Sequence, residues 1–137
     1  MKRILALALS LAACGCGQTS TPTLPDATQP PIQPTVERIT GTVPVGGVDT
    51  KTFTVVRSNG NLALVFAEAS PPAGLSMGVG LGQPTGATCS VAQSGIVAPS
   101  TVPVFSAAVN AGTYCLVVGD IGQATGPVNY VMNVSHY

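Results

Sequence analysis

The sequence predicts an all-β fold, an antiparallel β-sandwich or jelly roll of seven to eight strands over residues 36–137. Three observations carry that prediction. Apolar and polar residues alternate with period two through most of this stretch. No window places apolar residues at helical spacing, and Gly, Pro and Asn cut the alternation into short runs.

Taken in order, residues 37–43 form a first short candidate strand. Residues 52–57 follow, with Phe53 and Val55 on one face, and residues 61–68 group Leu62, Leu64 and Phe66. Ser58-Asn59-Gly60 lies between these two runs. Asn-Gly in that setting is the strongest short hairpin signal, so the two strands are expected to pair directly. Next, Leu75, Met77, Val79 and Leu81 alternate strictly with Ser76, Gly78, Gly80 and Gly82. That predicts one continuous strand with Ser76 on its outer face, and the glycines read as small residues on a closely approached strand face. Shorter candidates lie at 87–92 and 101–106. Tyr114, Leu116 and Val118 alternate again, as do Val128, Tyr130, Met132 and Val134.

The start of the chain is of another kind. Lys2 and Arg3 precede an apolar run over residues 4–13 that only Ser10 interrupts. This is the layout of a secretory signal peptide, and it falls well short of the ~20 residues of a membrane span. Its ending, Leu11-Ala12-Ala13-Cys14, resembles the lipobox of bacterial lipoproteins. The resemblance implies cleavage before Cys14, a diacylglycerol on its thiol and usually a further acyl chain on its new amino group. Several chains hold a protein durably to a bilayer, because each buried CH₂ contributes about 0.8 kcal/mol. Cys16 is a poorer candidate, lacking leucine at the third position upstream. A soluble secreted protein cut elsewhere is the plainer alternative. Gly15 after the cysteine, in place of Asp, resembles the outer-membrane sorting signal of diderm bacteria.

Residues 14–35 read as a tether. From Gly17 to Thr35 prolines stand at 22, 25, 30, 31 and 34 among five threonines, with one acid, no base and no aromatic residue. Such a stretch buries too little apolar surface to offset the entropy of ordering it, and its prolines favour an extended form.

Composition excludes several function classes. Roughly 124 residues remain after cleavage, enough for one domain. They hold three basic residues (Arg38, Lys51, Arg57) against five acidic ones (Asp26, Glu37, Asp49, Glu68, Asp120). With no basic cluster to neutralise phosphates, nucleic acid is not an expected partner. Cys89 and Cys115 lie in the exported part, where an oxidising environment favours a disulfide. A metal site is the alternative, but two thiols without nearby histidine fall short of a tetrahedral shell.

The sharpest catalytic pattern is Gly74-Leu75-Ser76-Met77-Gly78, a G-x-S-x-G elbow, followed by Asp120 and His136 in the hydrolase order. The elbow requires a strained strand-to-helix turn, whereas Ser76 falls in a strict strand alternation with no helix after it. His136 therefore reads as a solvent-facing residue near the end of the last strand. Asp120 is also a candidate cation ligand together with Asp49 or Glu68. No catalytic residues, metal or cofactor are expected.

A second family resemblance rests on the strand motifs. Ala111-Gly112-Thr113-Tyr114-Cys115-Leu116-Val117-Val118 is similar to the "AGTYYL-V" strand of bacterial pre-peptidase C-terminal (PPC) domains. The opening Ile39-Thr40-Gly41-Thr42-Val43, then Lys51-Thr52-Phe53-Thr54-Val55, resembles that family's start, and Val128–Val134 its last strand. The resemblance covers most of residues 38–137 and implies a β-sandwich of an exported protein. Some relatives bind collagen or polysaccharide, and some bind calcium. The family's Asp-rich "D-x-D-L" is replaced here by Pro72-Ala73-Gly74-Leu75, which removes expected calcium ligands. The module is expected to stand without an attached peptidase. The expected function is a lipid-anchored, non-catalytic module that binds an extracellular or envelope polymer or protein. A structural envelope lipoprotein acting through protein contacts is the alternative, and a serine hydrolase a distant third.

Overall fold

A computed structural model describes residues 32–137. The predicted signal peptide, Cys14, Cys16 and the tether as far as residue 31 lie outside the described residues. Within Ile32–Tyr137 the fold is all-β, with eight strands in two antiparallel four-stranded sheets. The strands are β1 (Thr35–Val43), β2 (Val48–Val55), β3 (Gly60–Ser70), β4 (Met77–Thr85), β5 (Thr88–Val97), β6 (Phe105–Val109), β7 (Gly112–Gly119) and β8 (Val128–His136). One sheet has the order β1-β8-β3-β6 and the other β2-β7-β4-β5. This is a sandwich with jelly-roll order, in which most connections cross from one sheet to the other.

The alternation seen in the sequence is the packing of the core. Leu62, Leu64 and Phe66 of β3, Met77 and Val79 of β4, Leu116 and Val118 of β7, and Val128, Tyr130, Met132 and Val134 of β8 form one buried cluster. Residues two apart share a sheet face, so each row meets its counterpart on the facing sheet. Two bulges adjust the phase. In β3, Phe66 faces Met132 but Glu68 faces Val131, which leaves Ala67 as the extra residue and lets the buried row resume at Ala69. In β5, Leu81 faces Gln93 and Gly82 faces Val91, so Ala92 is the extra residue.

Three expectations are corrected. The strands flanking Asn59-Gly60 do not form a hairpin: β2 pairs with β7, and β3 with β6 and β8. Asn59 does take the left-handed conformation typical of tight turns (φ 59°), but the turn serves as a corner between sheets. There the N–H of Arg57 donates to the carbonyl of Tyr137 and ties down the residue that follows β8. Among the described residues the one tight hairpin is β4–β5, where Thr85 pairs with Thr88 across Gly86-Ala87 and Gly86 has φ 63°. Second, the strand expected at 101–106 forms at Phe105–Val109. Pro103 has no N–H for a ladder. The preceding segment instead meets β3 through isolated bonds, from Ser100 N–H to the Phe66 carbonyl and from Val104 N–H to the Leu64 carbonyl. Third, Ser76 precedes β4 and is not part of it.

Cys89 and Cys115 form a disulfide with a Cα–Cα separation of 5.9 Å. Their strands, β5 and β7, lie on either side of β4. Flat neighbouring strands would hold second neighbours roughly 9.6 Å apart, so the sheet curls sharply here. Gly82 permits the curl. It lies opposite Cys115, and a side chain on it would run into the Ser90 carbonyl and the Val91 backbone. In the chain-entropy model, a cross-link over 26 residues contributes about 3.5 kcal/mol. Replacing both cysteines with alanine is therefore expected to lower unfolding free energy by about that amount in urea titrations.

Candidate functional site

The outward row of β4 carries almost no side chains. Gly78, Gly80 and Gly82 lie opposite Ile96, Ser94 and Val91 of β5, and Gly78, Gly80 and Gly82 face Gly119, Val117 and Cys115 of β7. Gly78 and Gly80, with Gly119 of β7, form the floor of a shallow groove of about 490 Å³ on the outer face of this sheet. Its walls lean over that floor. A Cβ at Gly78 would sit 3.3 Å from Ile121, one at Gly80 2.9 Å from Val91, and one at Gly119 3.0 Å from Val48. The walls are apolar yet accessible, with Val48 63% and Ile96 69% exposed. Isolated exposed apolar residues are ordinary; here Val48, Val91, Ile96 and Ile121 are exposed around one concavity.

Asp120 stands at one end of the groove, turned toward the backbone. Its Oδ1 accepts the N–H groups of Gly122, Gln123 and Ala124 at 2.9–3.1 Å, and Oδ2 accepts that of Gly46 at 2.8 Å. Its own N–H donates to the Gly47 carbonyl at 3.0 Å. One carboxylate thus joins the turn before β2 to the loop before β8. The Gly46 N–H, helped by the other three and opposed by desolvation, holds the carboxyl below its ordinary value of 3.8. The sequence signal for this role is Asp120-Ile121-Gly122, an Asx-turn pattern.

The expected cation site is not assembled. The carboxylate of Asp120 is taken up by backbone donors, and Glu68 belongs to the other sheet. Asp49 accepts the Tyr130 hydroxyl at 3.0 Å and pairs with Lys51 at 3.3 Å. Burial, then the Asp49 carboxylate, pushes the Tyr130 phenol far above its usual range. Among the described residues, no group of three His, Cys, Asp or Glu is placed to hold a metal ion.

The hydrolase pattern is also dispersed. His136 is buried, not solvent-facing: its ring lies 6.0 Å from that of Phe53, and Nε2 is 3.2 Å from Glu37 Oε1. Its Nδ1 is enclosed and has no hydrogen-bond partner among the described residues. Phe53 is opposite Tyr114, near the start of β7, whereas Asp120 follows the end of that strand. Six residues of strand separate the two ends, roughly 20 Å. Ser76 lies toward the Asp120 end, by the register of Gly78 with Gly119. Histidine and serine are thus at opposite ends of the sandwich.

No family model matches the chain, and no curated protein matches it.

The geometry at Asp120 gives a pH prediction. A carboxyl with a lowered folded pKa stabilises the protein above its ordinary value, and that contribution is lost as pH falls through the folded one. Asp120→Asn is expected to lower the thermal midpoint at neutral pH and to lessen its fall between about pH 5 and pH 2. Midpoints recorded across that range for both proteins check this.

Proposed function

We propose that this chain is a lipid-anchored, non-catalytic module of a bacterial cell envelope that binds a protein through the outer face of β2-β7-β4-β5. Lipid on Cys14 holds it to the membrane, the outer one in a diderm cell, and the proline-rich tether carries the PPC-like domain clear of the surface. The apolar, glycine-floored groove is the observation that carries the binding reading. Its lining side chains are Val, Ile and Ser, with Asp120 at one end held by backbone N–H groups, and no aromatic ring or cation is among them. Sugar sites usually present aromatic faces. Here Phe53, Phe66 and Tyr130 are buried, and the Tyr114 hydroxyl donates to the Asn110 carbonyl. These features favour an uncharged protein surface over a glycan or nucleic acid, and the reading calls for no cofactor.

Two outcomes test it. Cells fed labelled palmitate are expected to label the wild-type chain, and Cys14→Ser is expected to remove the label. The purified chain, offered matrix proteins, peptidoglycan and glycans with and without calcium, is expected to bind a protein saturably and independently of calcium. Val48→Asp with Ile96→Asp is expected to weaken that binding at least about tenfold, as two buried charges in an apolar contact would. Binding that survives both substitutions, or appears only for glycans, contradicts the assignment.

A further inference from the structure

An asparagine followed by a glycine carries a chemistry of its own. The backbone nitrogen of the following residue attacks the side-chain carbonyl carbon and closes a five-membered succinimide ring. A side chain on that residue crowds the attack, and glycine has none. The chain has five asparagines, and only Asn59 precedes a glycine; Asn61, Asn110, Asn129 and Asn133 precede Leu62, Ala111, Tyr130 and Val134. The fold sharpens the difference. Asn61, Asn129 and Asn133 lie within β3 and β8, where pairing fixes the backbone, and Asn129 Oδ1 accepts the Thr42 hydroxyl at 2.7 Å. Asn110 is exposed in the turn between β6 and β7, but Ala111 follows it with a methyl group, and its own carbonyl accepts the Tyr114 hydroxyl at 3.0 Å.

Asn59 is exposed at the corner between β2 and β3. Ring closure turns its Cα–C bond and leaves φ outside the ring, so the left-handed φ of 59° is no obstacle. Gly60 opens β3 opposite Val109, the last residue of the five-residue β6. The attacking nitrogen thus belongs to the end pair of a short ladder, where fraying costs little. We propose that Asn59 is a self-modifying site, at which the folded chain converts an amide to an acid without an enzyme. The Gly60 nitrogen bonds to Asn59 Cγ, the Cγ–Nδ2 bond breaks, and ammonia leaves with the proton that the nitrogen gave up. Water then opens the ring at either carbonyl, giving isoaspartate or aspartate with nothing oxidised or reduced. Each conversion adds one negative charge to a chain that has few. The new carboxylate falls beside Arg57, which borders the same hollow and makes no ion pair among the described residues. The inference is independent of what the groove binds.

Ageing the full chain in mild detergent at physiological temperature tests it, with a synthetic peptide of residues 55–63 in the same buffer as the clock. By the time the peptide has converted, mass-spectrometric mapping is expected to find acid at Asn59 of the folded chain and an intact amide at Asn110. The product is expected to be chiefly isoaspartate, which an isoaspartate methyltransferase labels. Conversion is expected to quicken at mildly alkaline pH, because the attacking nitrogen has to lose its proton. Gly60→Ala is expected to slow it at least about tenfold, since the added Cβ crowds that nitrogen. A Cβ there would lie 3.3 Å from the Tyr137 side chain, so the variant calls for only a small shift. Retention of the Cys89–Cys115 disulfide and of the β-type circular dichroism shows that each reacting chain is folded. An intact Asn59 amide once the peptide has converted overturns the proposal, as does equal conversion at Asn110 or a rate indifferent to Gly60→Ala.

Discussion

The structure depends on one buried stripe, Val128-Tyr130-Met132-Val134 of β8, and on its burial against the facing sheet. β8 lies between β1 and β3, so both of its edges are paired while its inner row fills the core. Burying a large apolar side chain contributes about 1.5–3 kcal/mol, and no other strand offers four such residues in succession. The other inner rows keep in phase with this stripe, and the bulge at Ala67 exists because β3 has to match it at both ends.

Against that fixed core, the second sheet is asymmetric. β7 is inside the sheet and pairs along its whole length, whereas β5 is an exposed margin attached through β4 and the disulfide. The same glycines have two consequences. At Gly82 the missing side chain lets β5 approach closely enough for Cys89 to reach Cys115. At Gly78 and Gly80 it leaves the floor of the groove open. The element held least by the core is thus the edge strand that borders the accessible apolar surface.

Much of this was legible in the sequence, because period two is a direct record of which side chains face the core. Phe53 with Val55, Leu62 with Leu64, and the β8 row are buried as their spacing indicates. Partner choice was not legible at Asn59, since a turn residue reports local backbone conformation and not whether the next strand pairs or crosses to the other sheet. His136 shows a signal that was available. It continues the even-numbered row of β8 by one step, and a polar residue in an inward position calls for a partner, which Glu37 supplies. The groove was legible only as a row of glycines. That Val48 and Ile121 lean over them depends on connections distant in sequence. Asp120 reads in the sequence as a candidate ligand, while its bonds depend on where the Gly46 turn falls.

The most direct test of this account is amide exchange, resolved by residue, on the oxidised and the reduced chain. In both, the slowest amides are predicted in β7 and β8. Reduction is predicted to speed exchange in β5 and the adjoining half of β4, leaving β8 protected, because local opening is easiest where few buried contacts hold a strand. Uniform acceleration across both sheets would contradict the account, since it would make the disulfide, and not the β8 stripe, the constraint on which the fold depends.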